Sequence, residues 1–442
     1  MKVLLAQNMA YFPETGGANK GNRLLLEKLA DRGHSCRLLT LSTSVQGYGT
    51  RTQFLNELAQ RGIDFISGAP GVCIFRRGGI EVHALADGAD LRTHLVKQVG
   101  AFEPTWTLVS SEDTGQILLK TALEAASLRV VYLARTTWHL PFGPASFLAS
   151  RARTELLRQV AGIVTVNRYI REYVRQWAGL ESAFIPISAL TLGAGPFPNF
   201  GRFGQGFVTM VNPCAVKGIS IFLALVKSLP DVQFAAVPTW GTTASDYAAL
   251  KELPNVRLFK AVDNIDAIFA QTRILLVPSL WAEAFGRIVA EAMLRGIPVL
   301  ASNAGGLPEA KLGVDYVLPV RPIERYEKQV DDRMNPVPVV PDQDIGPWLE
   351  ALGELLENRR RYKEVSIASR KAAHKSYVSS DVSIVPFESY LENLVPAPQA
   401  ELNRKPSKAT AGDSKASNQL GRIAHLSPEK RALLALRSRK RY

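Results

Sequence analysis

The sequence predicts an α/β protein built from two doubly wound parallel sheets that face a cleft, followed by one more helix and a basic tail. Three observations support this prediction. Short apolar runs alternate with amphipathic helical patterns through residues 1–190, as is typical of βα units. A Gly- and Pro-rich break at 191–206 is suited to an interdomain hinge. The alternation then restarts at Phe207, so ligands are expected at the carboxyl ends of the strands in both units.

The elements of the first unit follow from periodicity and from the residues that bound each run. A hairpin over Gly78 and Gly79 joins two of the strands. The predicted strands are 3–6, 36–41, 63–66, 72–76, 81–85, 107–110, 130–134 and 162–166. The predicted helices are 19–32, 90–101, 114–126, 145–160 and 168–177.

The second unit is predicted over residues 207–378 and repeats the pattern. Its strands are 207–211, 232–237, 256–259, 273–277 and 316–319, and its helices are 217–229, 265–271, 344–357, 360–376 and one that follows Glu283. A further helix, near 381–394, falls in a segment predicted to be separate, 379–395. Residues 396–442 form a basic tail that is predicted to be mostly disordered, with a short helix over 427–440.

Composition and charge exclude several classes of protein. The net charge is +13, but residues 399–442 hold eleven Lys/Arg against three Asp/Glu, so +8 lies in the tail and only about +5 in the body. This distribution does not predict a nucleic-acid-binding surface. No apolar run approaches a transmembrane length, and no secretory signal is recognisable at the amino terminus. The three scattered cysteines predict neither a disulfide framework nor a zinc site, so we expect a cytoplasmic protein.

Two glutamates, Glu283 and Glu291, flank the start of a predicted helix after the 273–277 strand. Ionised carboxylates only accept hydrogen bonds and therefore suit ligand hydroxyls, while the free N–H groups at a helix start suit a phosphate. A sugar nucleotide offers both groups. The alternative is that one glutamate is an ordinary first-turn acid and the other a solvated helix residue.

The spacing of these glutamates resembles the Glu-x7-Glu signature of retaining glycosyltransferases of family 4, which have the GT-B fold. Residues 296–302 and the Gly305-Gly306-Leu-Pro-Glu309 segment continue the likeness. The resemblance covers about residues 1–395 and is strongest over 273–309. It implies two Rossmann-like domains, an acceptor-side domain over 1–190 and a nucleotide-sugar-binding domain over 207–378, with a terminal helix that crosses back onto the first.

Carried over to this sequence, the resemblance implies roles for the second domain. Glu291 would bind the ribose diol and Glu283 the hydroxyls of the donor sugar. Lys217 would lie beside the diphosphate and stabilise the leaving group. The family usually has an arginine five residues before this lysine, where this chain has Asn212, so one positive charge is missing and a weaker neutral donor takes its place.

Further contacts with the donor are implied by the same likeness. Ala284, Phe285 and Gly286 would line the phosphate end, and the backbone at Val262 would meet the nucleobase. In the first domain, Gly16 and Gly17 would form the glycine-rich loop that approaches the diphosphate.

His139 is the one histidine in a suggestive place, because it follows a predicted first-domain strand and would contact the donor sugar across the cleft. Plain turn chemistry for the two glycines, and packing of His139 against Trp138, are the alternatives. Glu112 and Asp113 either bind the acceptor or cap the helix that begins near residue 114, and capping is the favoured interpretation.

No metal or other cofactor is expected. Asp342 and Asp344 have the Asp-x-Asp form that another glycosyltransferase fold uses for metal, but they stand just before a helix and are interpreted as capping it. Retaining members of family 4 lack a clear protein nucleophile, and we recognise none here.

The predicted function is transfer of a hexose-like group, with retention, from a nucleotide diphosphate sugar to an unknown acceptor, which could be a small molecule, natural product, lipid or polysaccharide. A GT-B epimerase or phosphorylase, or a weakly catalytic sugar-nucleotide-binding adaptor in a biosynthetic complex, are alternatives. Residues 426–434 resemble a short segment that borders condensation domains in nonribosomal peptide synthetases. The tail helix is therefore a candidate docking element for a protein partner.

Overall fold

The structure is a computed structural model that describes residues 1–12, 17–42, 51–67, 71–86, 90–193, 195–262, 264–333, 335–378 and 383–396. Two α/β units lie on either side of residues 195–206. Gly16 and the tail with its predicted helix over 427–440 lie outside the described residues.

The first unit is built on a nine-stranded sheet in the order β3-β4-β5-β2-β1-β6-β7-β8-β9. All neighbours are parallel except β4, which runs antiparallel to β3 and β5 and forms the hairpin predicted over Gly78 and Gly79. The strands are β1 Lys2–Ala10, β2 Ser35–Leu41, β3 Phe65–Ser67, β4 Val72–Arg77, β5 Ile80–Leu85, β6 Trp106–Ser110, β7 Val130–Ala134, β8 Gly162–Thr165 and β9 Ala183–Phe184. The helices are α1 Gly17–Ala30, α2 Arg51–Gln60, α3 Leu91–Phe102, α4 Ile117–Ala126, α5 Arg151–Leu157 and α6 Arg168–Ala178.

The second unit is built on a six-stranded, all-parallel sheet in the order β12-β11-β10-β13-β14-β15. Its strands are β10 Phe207–Val211, β11 Phe234–Val237, β12 Val256–Leu258, β13 Thr272–Val277, β14 Val299–Ser302 and β15 Val317–Leu318, and a separate antiparallel pair is formed by β16 Tyr326–Val330 and β17 Pro336–Pro338. The helices are α7 Ile219–Ser228, α8 Ala244–Lys251, α9 Asp266–Phe269, α10 Arg287–Leu294, α11 Leu307–Ala310, α12 Gly346–Glu357, α13 Arg359–Tyr377 and α14 Val385–Asn393.

Both sheets share the doubly wound connectivity of the Rossmann fold. In each, the first strand lies between the second strand and a strand that comes later in the chain, so the winding direction reverses between β1 and β6 and again between β10 and β13. Most strands are buried on both faces, which is why they appear in the sequence as continuous apolar runs. The fold class predicted from the sequence is confirmed.

The last helix, α14, packs on the first unit rather than on the second. Ile384, Phe387 and Leu391 belong to the apolar core beneath the first sheet, and the Trp106 indole N–H donates to the Leu391 carbonyl at 2.9 Å. The Glu388 carboxylate accepts from Arg32 at 2.6 Å and lies 2.7 Å from the His34 ring. Chain segments from opposite ends of the sequence therefore complete one core.

Several segments differ from the sequence prediction. Helices α2 and α8 and strand β14 were not predicted. The helix predicted over 217–229 begins at Ile219, because Gly218 adopts φ +83°, which is outside the helical range. Only glycine fits at this position, since an ideal Cβ there would lie 1.9 Å from the Pro278 carbonyl oxygen. The helix predicted over 145–160 is confined to α5. The connection between residues 319 and 344, for which no element was predicted, contains the β16–β17 pair. No helix among the described residues is long and apolar enough to cross a membrane.

Candidate active site

The two charged residues predicted for donor chemistry meet at the point where the second sheet reverses its winding. Lys217 follows β10 and Glu283 follows β13, and these neighbouring parallel strands end at the same edge. The Lys217 ammonium donates to Oε1 of Glu283, and the Ser279 hydroxyl donates to the same oxygen at 2.7 Å. Both side chains are largely buried, with 20% and 12% of their surfaces exposed.

The Glu283 carboxylate is held in its ionised form. Burial alone would raise its pKa, but the positive charge of Lys217 and the hydrogen bonds from Lys217, Trp281 and Ser279 outweigh burial and lower it. The bonds from Lys217 and Ser279 both end on Oε1, so Oε2 takes part in neither of them and keeps the capacity to accept from a ligand hydroxyl.

Aromatic rings from both units adjoin this ion pair. The Lys217 ammonium lies 4.7 Å from the centroid of the Trp281 ring, a cation–π distance. Trp281 meets Trp138 of the first unit edge to face, with centroids 5.0 Å apart, and Trp240 at 6.2 Å. Trp138 also lies 6.0 Å from Tyr326 on β16. The loop that contains Trp138 is thereby fixed beside Glu283.

His139 lies in that loop. Its ring stacks on Trp138 with centroids 5.1 Å apart, and its Nδ1 atom is buried without a hydrogen-bond partner. Burial lowers the pKa of His139 to about 4, so the imidazole is neutral at physiological pH. The neighbouring Thr137 hydroxyl donates to the Ala282 carbonyl at 3.3 Å. His139 therefore combines packing against Trp138 with a place at the boundary between the two units.

Asn212 lies at the end of β10, buried and in the left-handed conformation with φ +59°. Its side-chain oxygen accepts from the Gly241 amide at 3.0 Å, while its Nδ2 group is buried without a partner. An ideal Cβ at Gly241 would lie 2.8 Å from the Cys214 sulfur and 3.1 Å from the Asn212 oxygen, so glycine is required for this contact. The site thus holds a hydrogen-bond donor that is still without an acceptor.

Ala284, Phe285 and Gly286, which were predicted to line a phosphate, make different kinds of contact. Gly286, with φ +66°, precedes α10, which begins only at Arg287, and an added Cβ on Gly286 would lie 2.7 Å from Leu307. The Phe285 ring packs edge to face on Tyr377 in the apolar core. The Ala284 carbonyl accepts from the Asn167 side chain of the first unit. Backbone groups at 284–286 are consequently fixed by packing on both sides.

Glu291 is buried, in contrast to the solvated helix residue that was the alternative interpretation of the sequence. Its carboxylate pairs with Arg287 on the same helix at 2.6 Å. Burial lowers the pKa of Lys20 on α1, the charge of Arg287 lowers it further, and the charge of Glu291 raises it. Gly17, the first residue of α1, has no atom within 4 Å of an added Cβ. Val262 is 44% exposed, in the loop after β12.

Two residues that the sequence did not single out join the units. The Asn167 side-chain oxygen accepts from the Ile170 amide at 2.9 Å and caps α6, while its Nδ2 group reaches the carbonyl next to Glu283. The Glu309 carboxylate accepts from the amides of Arg168 at 3.0 Å and Tyr169 at 3.4 Å. The amino terminus of a first-unit helix is therefore bound by the second unit.

The two acids that were interpreted as a helix cap divide into different roles. Asp113 accepts from the amides of Ile117, Leu118 and Leu119 and caps α4. Glu112 makes no such bond but accepts from the Ser110 hydroxyl. Asp344 accepts from the Gly346 amide at 2.9 Å, just before α12, but the N-cap residue of that helix is Ile345, which makes no side-chain cap.

Comparison with known proteins agrees with this architecture. Residues 204–336 match the family described as glycosyl transferases group 1. A curated protein described as an uncharacterized 41.2 kDa protein in the cps region of Klebsiella pneumoniae is 37% identical over 95 residues, which span 21% of this chain and about a quarter, 26%, of that protein.

Solved structures resemble nearly the whole chain. Sucrose-phosphate synthase from Thermosynechococcus elongatus superposes with a TM-score of 0.63 at 14% identity, covering 88% of this chain and 98% of that one. HepE from Anabaena, solved in complex with UDP-glucose, superposes with a TM-score of 0.58 at 15% identity, covering 89% and 98%. A glycosyltransferase from Rickettsia africae gives 0.58 at 12% identity, covering 88% and 97%. Residues 204–336 thus match the glycosyl transferases group 1 family, and the chain as a whole has the two-domain GT-B fold.

Proposed function

We propose that this chain is a retaining glycosyltransferase that moves a hexose-like group from a nucleotide diphosphate sugar to an acceptor. The observation that carries the proposal is the buried pair of Lys217 and Glu283 at the point where the second sheet reverses its winding, facing the 135–139 loop of the first unit. Ligands of doubly wound sheets bind at such points. The donor in the HepE complex makes a UDP-linked hexose the first donor to try.

In this proposal Lys217 stabilises the departing diphosphate. An ammonium has three donors, and only one is used by Glu283, so the others are free to bind phosphate oxygens. Asn212 donates a further hydrogen bond to the diphosphate from its buried Nδ2 group, which has no protein acceptor. A neutral donor is roughly half as strong as a charged one, so we expect slower turnover than an arginine would give at that place.

Glu283 and His139 orient the donor sugar from opposite sides of the boundary. The ionised Glu283 carboxylate accepts from sugar hydroxyls through Oε2, and Glu291 binds the ribose diol in exchange for part of its pairing with Arg287. The catalysis proposed is positioning plus electrostatic stabilisation, with the leaving phosphate accepting the acceptor's proton on the same face. No step requires a metal ion or a covalent enzyme intermediate.

The experiment has two stages. A thermal-shift screen with nucleotides and nucleotide sugars identifies the donor, because a ligand at 100 times its dissociation constant adds about 2.7 kcal/mol of stability. Nucleotide release is then measured with and without candidate acceptors. Lys217→Met and Glu283→Ala should each lower turnover about 100-fold or more. Activity within tenfold of wild type in both variants would refute the assignment.

Matched controls come from the surface of the chain. Lys251 also lies over an aromatic ring, 4.9 Å from the centroid of Tyr247, and Glu172 forms an exposed pair with Arg175. Lys251→Met and Glu172→Ala repeat the chemical changes away from the cleft, and both should keep wild-type turnover.

Asn212 favours a second candidate, a weakly catalytic sugar-nucleotide-binding adaptor, because it replaces a charge. That candidate predicts nucleotide binding with no acceptor-dependent release.

Our proposal includes an acceptor-side domain over 1–190, a hinge over 191–206, a donor domain over 207–378, a crossover segment over 379–395, and action in the cytoplasm. A partner for the tail stays a prediction.

A further inference from the structure

A second polar site lies in the first unit, where its own sheet reverses winding. Arg135 directly follows β7, and its backbone N–H donates to the Ser111 hydroxyl, just beyond β6, at 3.0 Å. The side chain is only 5% exposed. The residue therefore holds its guanidinium inside the protein at the carboxyl edge of the first sheet.

A chain of hydrogen bonds fixes the orientation of this guanidinium. Gln7 on β1 donates to the Thr40 hydroxyl at 3.2 Å and accepts from Asn22 Nδ2 at 3.0 Å. This bond directs the Asn22 oxygen toward Arg135, whose Nε donates to it at 3.0 Å. Gly21 makes room on α1, since an ideal Cβ there would lie 2.9 Å from Nη1 of Arg135. The side chain is thus held before any ligand arrives.

Arg135 forms no ion pair with a carboxylate among the described residues, and its Nη2 group is buried without a hydrogen-bond partner. Burial lowers the pKa of Arg135 to about 10, and the charge of Glu112, whose carboxylate is bound to the Ser110 hydroxyl, raises it only in part. A buried charge that is compensated only in part favours a bound anion that would complete the pair.

Arg135 also begins the loop that meets the second unit. Two residues further along the chain, the Thr137 hydroxyl donates to the Ala282 carbonyl, which precedes Glu283. Two residues span at most ~7 Å, so the backbone of Arg135 lies within that distance of the backbone of Thr137.

We propose that Arg135 binds an anionic group on the acceptor, which makes the acceptor a sugar that carries a phosphate or a carboxylate. The proposal rests on the proposed function, in that it calls this ligand the acceptor. A planar guanidinium that keeps one N–H group free suits either anion, and Arg binds both in bidentate geometry.

The test is titration calorimetry of the full chain, without nucleotide, using glucose 6-phosphate, glucuronate and glucose. We expect at least one charged sugar to bind tenfold or more tightly than neutral glucose, and the stronger of the two identifies the anion. Arg135→Met should abolish this preference and Arg135→Lys should retain part of it. Arg158→Met is the matched control, because Arg158 donates to the Ala178 carbonyl elsewhere in the first unit, and it should change nothing.

Two further variants keep the result decisive if Arg135→Met fails to fold. Glu112→Gln removes the negative charge nearest to Arg135, so it should tighten binding of the charged sugar several-fold. Lys217→Met should leave that binding unchanged, because the anion is not in the diphosphate site. Equal binding of charged and neutral sugars by the wild type would overturn the proposal. So would a preference that survives Arg135→Met or disappears with Lys217→Met.

The two proposals fail separately. A separate titration with UDP reports on the donor site, and absence of nucleotide binding there counts against the proposed function alone. If Arg135 served only to tie α1 to β7, Arg135→Met would lower the melting temperature while the ratio of charged-sugar to neutral-sugar affinity stayed as in the wild type.

Discussion

The interdomain bond of Asn167 can be removed without removing the helix cap. Asn167→Asp keeps an oxygen for the Ile170 amide, and Asp caps helices as well as Asn does. The donor toward the Ala284 carbonyl is lost, however, and the new carboxylate lies near that carbonyl and near Glu309, which binds the same helix end. Only the contact between the two units is therefore disturbed.

The size of the effect follows from the bond that is broken. A buried carbonyl left without its donor costs about 1–3 kcal/mol. This energy is lost only when the two units are docked, because the donor belongs to the first unit and the Ala284 carbonyl, next to Glu283, belongs to the second. If turnover requires that arrangement, kcat/KM should fall about 5–150-fold, because that is the ratio to which 1–3 kcal/mol corresponds. The free energy of unfolding of the first domain should change by well under 1 kcal/mol.

Steady-state kinetics with the identified donor measures the first quantity, and denaturant unfolding measures the second. Hydrogen exchange at the amides of Arg168 and Tyr169 reports on docking of the units, because both amides bond Glu309 across the boundary. Asn358→Asp is the control, since Asn358 caps α13 through the Arg361 amide at an exposed position. If Asn167→Asp matched Asn358→Asp in kinetics and in exchange, the reasoning would be wrong.

Three other predictions concern single positions. Gly306→Ala would place a Cβ 1.9 Å from the Ala284 carbonyl oxygen, so it should lower activity at least tenfold. Gly353 on α12 faces open space, so Gly353→Ala should instead raise stability by about 0.5–1 kcal/mol in thermal unfolding. Because burial lowers the pKa of His139 from its usual 6.5 to about 4, the unfolded state binds more protons between these values, and stability should fall by up to about 3 kcal/mol as pH drops through that range. His139→Phe should flatten this part of the denaturation profile, and an unchanged profile would contradict the assignment. Burial likewise lowers the pKa of Lys311, whose ammonium donates to the Val299 carbonyl, to about 7, so the stability of the wild type relative to Lys311→Met should rise from pH 7 to pH 10.

The fold was predictable because its strands are short, apolar and buried on both faces. Segments such as 130–134 and 207–211 carry that signal within the sequence itself, and their bounds in the structure agree with those predicted. The β16–β17 pair carried no such signal, since most of β16 is exposed and β17 contains two prolines. Its place depends on contacts made elsewhere in the fold, such as that of Tyr326 with Trp138.

Local reasoning also reached only part of the candidate site. The meeting of Lys217 and Glu283 follows from their positions after neighbouring parallel strands. Asn167 could not be found in this way, because its bond to the Ala284 carbonyl spans 117 positions and depends on how the two units dock. The burial of Glu291 was missed for a related reason, as its surroundings include Lys20 from the other unit. No sequence pattern around Arg135 indicates that its guanidinium forms no ion pair among the described residues.

The packing of α14 on the first sheet has a consequence for biosynthesis. Trp106 and Leu391 are 285 positions apart, so at roughly 5–20 residues per second a ribosome needs roughly 15–60 s to deliver the second after the first. During that interval the surface that receives Phe387 and Leu391 is uncovered, and the nascent amino-terminal half presents an apolar patch to chaperones and to neighbouring chains. Expression of that half alone should therefore give aggregation-prone protein, and supplying the helix in trans should restore its solubility.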